Sequence, residues 1–306
     1  MRSADAWALA IMLVVPLGST RLPAQTLVFV HQQRYCMGTM FDIGAYHPSR
    51  PDAERAIEQA MEEIDRLDRV MSHFKPQSDL SKLNREGRDG YVRVDPSLFE
   101  VIQESLSVSR RSAGKFDVTI APLVRTWKEA QAEGRAASEA DVTEARRCVG
   151  YQNIETASPD RIRFRSSCLE IELGGIGKGY AVERVIALLK AAGIRHAVVN
   201  AGGSSIASIG SPPGELGWPV RLGAGGPDDD LLLRDSSIST SQQDGGIIDP
   251  ETAAPTPSRL TVTVFAASAT LADALSTTLL LMSRDEGTKL LEQFPGVSAR
   301  WLSDAR

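Results

Sequence analysis

Two stretches carry residues whose types and spacing could do chemistry. The first is TLADALSTTLLLM, residues 270–282. Its apolar residues, Leu275 and Leu279 among them, read as a helix that faces a core. Yet Asp273, Ser276 and Thr277 fall in its first turns. Asp273 and Thr277 are four apart, so on a helix they share one face. A carboxylate and a hydroxyl together, all oxygen, suit a hard cation such as Mg²⁺. The same residues also read as helix-start chemistry, with Thr270 as cap and Asp273 complementing the helix dipole. A buried carboxylate is costly unless something pairs with it. Either this end of the helix faces water, or its polar groups hold something.

The second stretch is IELGGIGKGYAVERV, residues 171–185. A strand ends in glycines and a helix begins near Lys178. Glycines let backbone approach a ligand, and a helix start offers free N–H groups to an anion. Lys178 adds positive charge at the same place, which suits a phosphate or pyrophosphate. The pattern is not a Walker loop, because Gly179 follows Lys178, and it is not G-x-G-x-x-G. Taken alone, it is equally compatible with a purely structural turn.

Composition narrows the classes. The chain has 306 residues, 42% hydrophobic, enough for one large core or two modest ones. The net charge is −5 and no basic stripe appears, which argues against nucleic acid as a partner. The four histidines are scattered, with no HExxH, so a histidine-based metal site is not expected. The three cysteines, Cys36, Cys148 and Cys168, fit no zinc pattern and indicate no disulfide framework, leaving one bridge open. At the N-terminus, Arg2 precedes the apolar run Ala6–Leu17, and Leu22-Pro23-Ala24 ends on a small residue. That is the layout of a secretory signal over residues 1–24, with export to the periplasm or beyond and a mature domain over 25–306. No later segment is long and apolar enough to be transmembrane.

The elements that must position the two stretches follow from periodicity. Residues 25–46 read as a strand pair turning at Met37-Gly38. Residues 52–71 read as a helix, with Ala53, Ile57, Ala60, Ile64, Leu67 and Met71 on one face. A polar loop is expected over 72–90, and a helix from Asp95-Pro96 to about Ser112. Residues 129–147 read as one surface helix, 161–173 as a hairpin or paired strand, and 180–192 as a helix. Residues 196–200 and 260–266 read as strands. The expected fold is α+β, with mixed or antiparallel sheets packed against helices in a single two-lobed domain.

Several motifs occur in order: Met37-Gly38-Thr39, MSHFKPQSDLSKLN (71–84), GKFDVTIAPLV (114–124), IELGGIGKGYAVE (171–183), NAGGS (200–204), IIDPET (247–252) and ATLADALST (269–277). As a set they resemble the FAD:protein FMN transferase family, also called ApbE, from about residue 34 to 302. The resemblance implies a T-fold-like enzyme of the bacterial envelope. Such enzymes bind FAD and Mg²⁺ and move FMN onto a Ser or Thr hydroxyl of an acceptor protein, releasing AMP. It places Met37, Phe74, Lys115, Phe116, Asp117, Glu172, Lys178, Ile247 and Ile248 on the nucleotide. Phe74 stands where the family often has Tyr, and Glu172 where it usually has Asp. It assigns the metal to the Gly175 carbonyl, Asp273 and Thr277, and transition-state charge to Lys178.

One departure is chemical. The stretch SISTSQQDGGIIDP (237–250) is compressed, and Gly246 stands where the family has a histidine suited to accept the hydroxyl proton. Asp249 or Asp244 would then take that proton. The TG that follows DP in the family is altered to Thr252-Ala253. Two further readings keep the site: a hydrolase that splits FAD into FMN and AMP with water, and a periplasmic FAD-binding protein without turnover.

Overall fold

The computed structural model describes residues 26–222, 230–242, 246–256 and 260–303. The signal-like segment and Asp244 lie outside these residues.

The chain opens with a hairpin, β1 (Val28–Cys36) and β2 (Thr39–His47), in register from Val28↔His47 to Cys36↔Thr39. Its two-residue turn needs positive φ at both positions, and Met37 and Gly38 sit at +50° and +75°. Helix α1 (Arg50–Met71) follows, capped by Ser49, whose hydroxyl accepts from the Asp52 amide. Its apolar stripe is buried as the periodicity requires. Next come α2 (Asp79–Glu86), β3 (Val92–Arg93) and α3 (Pro96–Arg111). A 3₁₀ turn, Val118–Ile120, leads into α4 (Ala121–Ala132), then α5 (Glu139–Arg147), β4 (Ile154–Ala157) and β5 (Arg161–Phe164). Helix α6 (Gly177–Ala191) precedes β6 (His196–Ala201), β7 (Ser205–Ile209), β8 (Trp218–Arg221), β9 (Asp230–Leu233) and β10 (Ser237–Gln242). The chain continues through β11 (Ile248–Asp249), β12 (Ala254–Pro255), β13 (Leu260–Ala266), α7 (Ala269–Leu280), α8 (Arg284–Leu291) and β14 (Ser298–Ser303).

A seven-stranded sheet in the order β1-β2-β6-β7-β10-β13-β14 forms the frame, with every neighbouring pair antiparallel. Alternation along each strand divides its side chains between two faces. Val199, Ala207 and Val264 join the main core with α1, α6 and α7. Their neighbours Val198, Ile206 and Phe265 face the other way, under the β8–β9 hairpin, with Ile238. The fold is α+β, as the sequence predicts.

Four local expectations are corrected. The loop expected over 72–90 contains α2, because Ser78 caps it and Leu80 and Leu83 are buried. The single helix expected over 129–147 is broken: Gly134 takes φ +66°, and Ser138 caps a new helix. Only Arg161–Phe164 of the expected 161–173 strand is paired, between β3 and β4. Helix α7 is capped by Ser268 instead of Thr270, whose hydroxyl donates to Glu183 on α6. The bridge left open by the cysteine count is present, joining Cys148 to Cys168. It ties the end of α5 to the segment that leads into the glycine loop.

Candidate functional site

The two chemistry-bearing stretches meet where α6 crosses α7. Gly179 makes the approach possible: a Cβ there would lie 2.3 Å from the Ala269 carbonyl oxygen and 2.5 Å from the Asp273 Cβ. The close crossing lets the Gly179 N–H donate to Asp273 Oδ2 at 2.8 Å. One turn along, a Cβ on Gly175 would lie 3.2 Å from Thr277 Oγ1 and 3.3 Å from the Phe116 ring. Asp273 therefore sits against Gly179, and Thr277 against Gly175. Asp273 is buried, 3% exposed, and among the described residues forms no ion pair. Its other oxygen accepts from Ser239 Oγ at 3.0 Å.

Helix α6 starts at Ile176 without a side-chain cap. The Gly177 amide is taken by the Leu173 carbonyl and the Gly179 amide by Asp273, which among the described residues leaves the Lys178 amide of the first turn to meet an anion. Lys178 is half-buried beside it, its Nζ 3.5 Å from the Gly174 carbonyl. Burial raises the pKa of Glu172, opposed by the Gly174 N–H and by the charges of Lys128 and Lys178. Met37 reaches the same helix start, its Cε 3.7 Å from where a Gly177 Cβ would stand.

The Lys115-Phe116-Asp117 triplet divides its work. Phe116 is buried against Gly175. Asp117 has both oxygens engaged internally, Oδ1 by the Thr119 amide and hydroxyl and Oδ2 by the Tyr151 amide. Burial raises its pKa and those bonds oppose the rise. Lys115 reaches Glu251 at 2.5 Å and Asp249 at 3.3 Å. Burial works against its charge, and the Glu251 and Asp249 carboxylates outweigh it, so its pKa is raised. Asp249 also accepts from the Glu251 amide.

Gly246 and Ile248 line a cavity of about 540 Å³ with Trp127, Lys128, Gln131 and Arg135. Ile248 is buried and Ile247 half-buried. Phe74 is 77% exposed, its ring against His73 with centroids 3.7 Å apart.

The residues that sequence reading passed over are hydroxyls. Ser241 Oγ lies 2.7 Å from Ser276 Oγ and 3.3 Å from Thr277 Oγ1, and Ser205 Oγ lies 3.2 Å from Ser239 Oγ. The signal was the S-x-S spacing in β10, which puts Ser239 and Ser241 on one face.

A hard divalent cation fits these groups. A buried carboxylate without a cationic partner, a half-buried hydroxyl and a glycine backbone form an all-oxygen set. No group of three or more His, Cys, Asp or Glu able to hold a metal occurs among the described residues. Such a cation would thus depend partly on oxygens of its substrate, as Mg²⁺ commonly does.

Comparison with known proteins places the chain in a family. Residues 37–301 match the ApbE family. The FAD:protein FMN transferase of Treponema pallidum (strain Nichols) is 27% identical over 302 residues, covering 87% of this chain and 82% of that protein. The one from Vibrio cholerae (strain O395) is 26% identical over 307 residues, covering 94% and 90%. Among solved structures, the Pseudomonas stutzeri flavinyl transferase ApbE, apo form, superposes with a TM-score of 0.81 at 25% identity, covering 92% of each chain. A Vibrio cholerae ApbE mutant with a histidine changed to glycine superposes at 0.80 and 25% identity, covering 91% of this chain and 94% of that one. Fold and likeness together define an enzyme of the transferase class. The chain belongs to the ApbE family.

Proposed function

We propose that this enzyme moves the FMN half of FAD onto a Ser or Thr hydroxyl of an exported acceptor protein and releases AMP. The observation that carries the reading is Asp273, a buried carboxylate without an ion-pair partner among the described residues, set on the uncapped start of α6. Asp273, Thr277 and the Gly175 carbonyl would hold Mg²⁺, which supplies charge neutralisation at the pyrophosphate. The Lys178 amide and its ammonium group bind the phosphates and stabilise the negative charge that grows on departing AMP. Phe116 and Met37 flank the loop and orient the nucleotide. The acceptor oxygen bonds to the FMN phosphorus, the pyrophosphate P–O bond breaks, and AMP leaves with the bridging oxygen. The hydroxyl proton passes to Asp249. Lys115 and the Glu251 amide hold that carboxylate in place.

Export is part of this reading. It is supported by the signal-like N-terminus and by the Cys148–Cys168 bond, since disulfides persist in oxidising compartments. No helix among the described residues is long and apolar enough to cross a membrane.

The test is incubation of the mature chain with FAD, Mg²⁺ and an acceptor domain, followed by denaturing electrophoresis. Fluorescent flavin on the acceptor is expected. Free FMN and AMP with an unlabelled acceptor would assign hydrolysis instead, and FAD recovered intact would assign a binding protein.

A further inference from the structure

The buried hydroxyls around α7 are arranged with a direction. Ser205, Ser239 and Ser276 are each 0% exposed, so every hydroxyl must find partners inside the protein. Ser239 Oγ has two acceptors within reach, Asp273 Oδ1 and the Ser204 carbonyl, both at 3.0 Å. A hydroxyl carries one proton, and a bond to a charged acceptor is the stronger, so the proton goes to Asp273. Ser205 Oγ, 3.2 Å away, can then donate to the lone pairs of Ser239. Gly179 N–H holds the second carboxylate oxygen from α6. Two donors on two different elements thus grip Asp273, one on each oxygen.

We propose that Ser239 is a positioning residue for the cation site. By fixing the rotation of the Asp273 carboxylate in advance, it leaves the carboxylate's remaining lone pairs aimed before any cation arrives. This rests on the cation reading of Asp273 given above. Groups that orient a metal ligand through a hydrogen bond commonly change metal affinity about 10–100-fold when removed. Ser237 provides the comparison. It lies on the same strand, is 1% exposed, and bonds the Ala266 carbonyl at 2.7 Å instead of Asp273.

The experiment titrates Mn²⁺, a hard divalent probe, into the mature chain both without FAD and with FAD present, and follows loss of the free-ion signal by electron paramagnetic resonance. Wild type, S239A, S237A and D273N are compared, each checked for folding by circular dichroism. The expected result is binding by wild type and S237A alike, about tenfold weaker binding by S239A, and loss of that site in D273N. If S239A does not fold, S239C replaces it, since a thiol of similar size is a poor donor. Wild type and S239A binding equally well would overturn the positioning role while the site stands. Wild type binding no better than D273N would remove the site itself.

Discussion

The crossing of α6 over α7 can be tested by one methyl group at each of two glycines. Gly177 and Gly179 both lie in the first turn of α6, and both are buried. Replacing glycine by alanine in a compatible helical position stabilises by about 0.4–1 kcal/mol, chiefly because the unfolded chain loses freedom. At Gly177 the new Cβ would meet only Leu173 Cβ and Met37 Cε, each at the ordinary distance of 3.7 Å. Gly177→Ala should therefore keep most of that gain. At Gly179 the same methyl would stand 2.3 Å from the Ala269 carbonyl oxygen, a backbone atom that no rotamer change can move. Forcing the helices apart costs about 1–3 kcal/mol and would stretch the Gly179–Asp273 hydrogen bond. The net expectation for Gly179→Ala is a loss of about 1–2 kcal/mol. At about 2–4 °C per kcal/mol, the two variants should melt several degrees apart. Thermal unfolding followed by circular dichroism reads this directly. Equal melting temperatures would refute the close crossing, and with it the placement of Asp273 on the start of α6.

Three further outcomes follow from the same structure. Reducing the Cys148–Cys168 bond, which closes a separation of 20 residues, should cost about 3 kcal/mol, seen as a lower denaturation midpoint in Cys168→Ser; an unchanged midpoint would count against the bridge. Gly246→His, which puts an imidazole where the family resemblance expects one, should raise the single-turnover transfer rate, by at most about 10²–10⁴-fold; a fall in rate with FAD binding intact would show that the proton acceptor lies elsewhere. Burial holds the Glu172 carboxyl above its ordinary range, so its ionisation costs stability as pH rises from the unfolded value through the folded one. Glu172→Gln should accordingly raise the melting temperature at pH 7 and by less at pH 4, and a gain that ignores pH would contradict this.

The frame was legible because its signals are local. Helical spacing in α1 and strand alternation in β13 require no partner to be read. Asp273 and Thr277 could be placed on one face of α7 for the same reason. Spacing alone could not say which residues would face them, because that depends on how closely two helices approach; only the family resemblance named Gly175. Only Gly179, of all residue types, admits the Ala269 carbonyl at that distance. The break between α4 and α5 was hidden because Ala-rich charged sequence has good helix propensity on both sides of Gly134. The roles inside the Lys115-Phe116-Asp117 triplet were equally hidden. Only the folded chain brings Tyr151 to Asp117, Glu251 to Lys115 and Gly175 to Phe116.

The position of Asp273 carries a thermodynamic consequence. A helix start carries roughly half a positive charge, and here a carboxylate already occupies part of it through Gly179. A pyrophosphate brought to the same place meets that carboxylate's repulsion along with the attraction of Lys178. A divalent cation bound to Asp273 reverses the sign of the balance. FAD and Mg²⁺ should therefore strengthen each other's binding, and linkage requires the same factor in both directions. Measuring the FAD dissociation constant with and without Mg²⁺, and the Mg²⁺ constant with and without FAD, gives that factor twice. A coupling of about 5–150-fold is the ordinary range for such linked sites. Replacing Asp273 by Asn removes the repulsion, so FAD alone should bind this variant more tightly than it binds the wild type, while the gain from Mg²⁺ shrinks. If FAD instead binds the wild type equally well with and without the cation, the carboxylate and the pyrophosphate do not share the start of α6, and the two chemistry-bearing stretches serve separate ends.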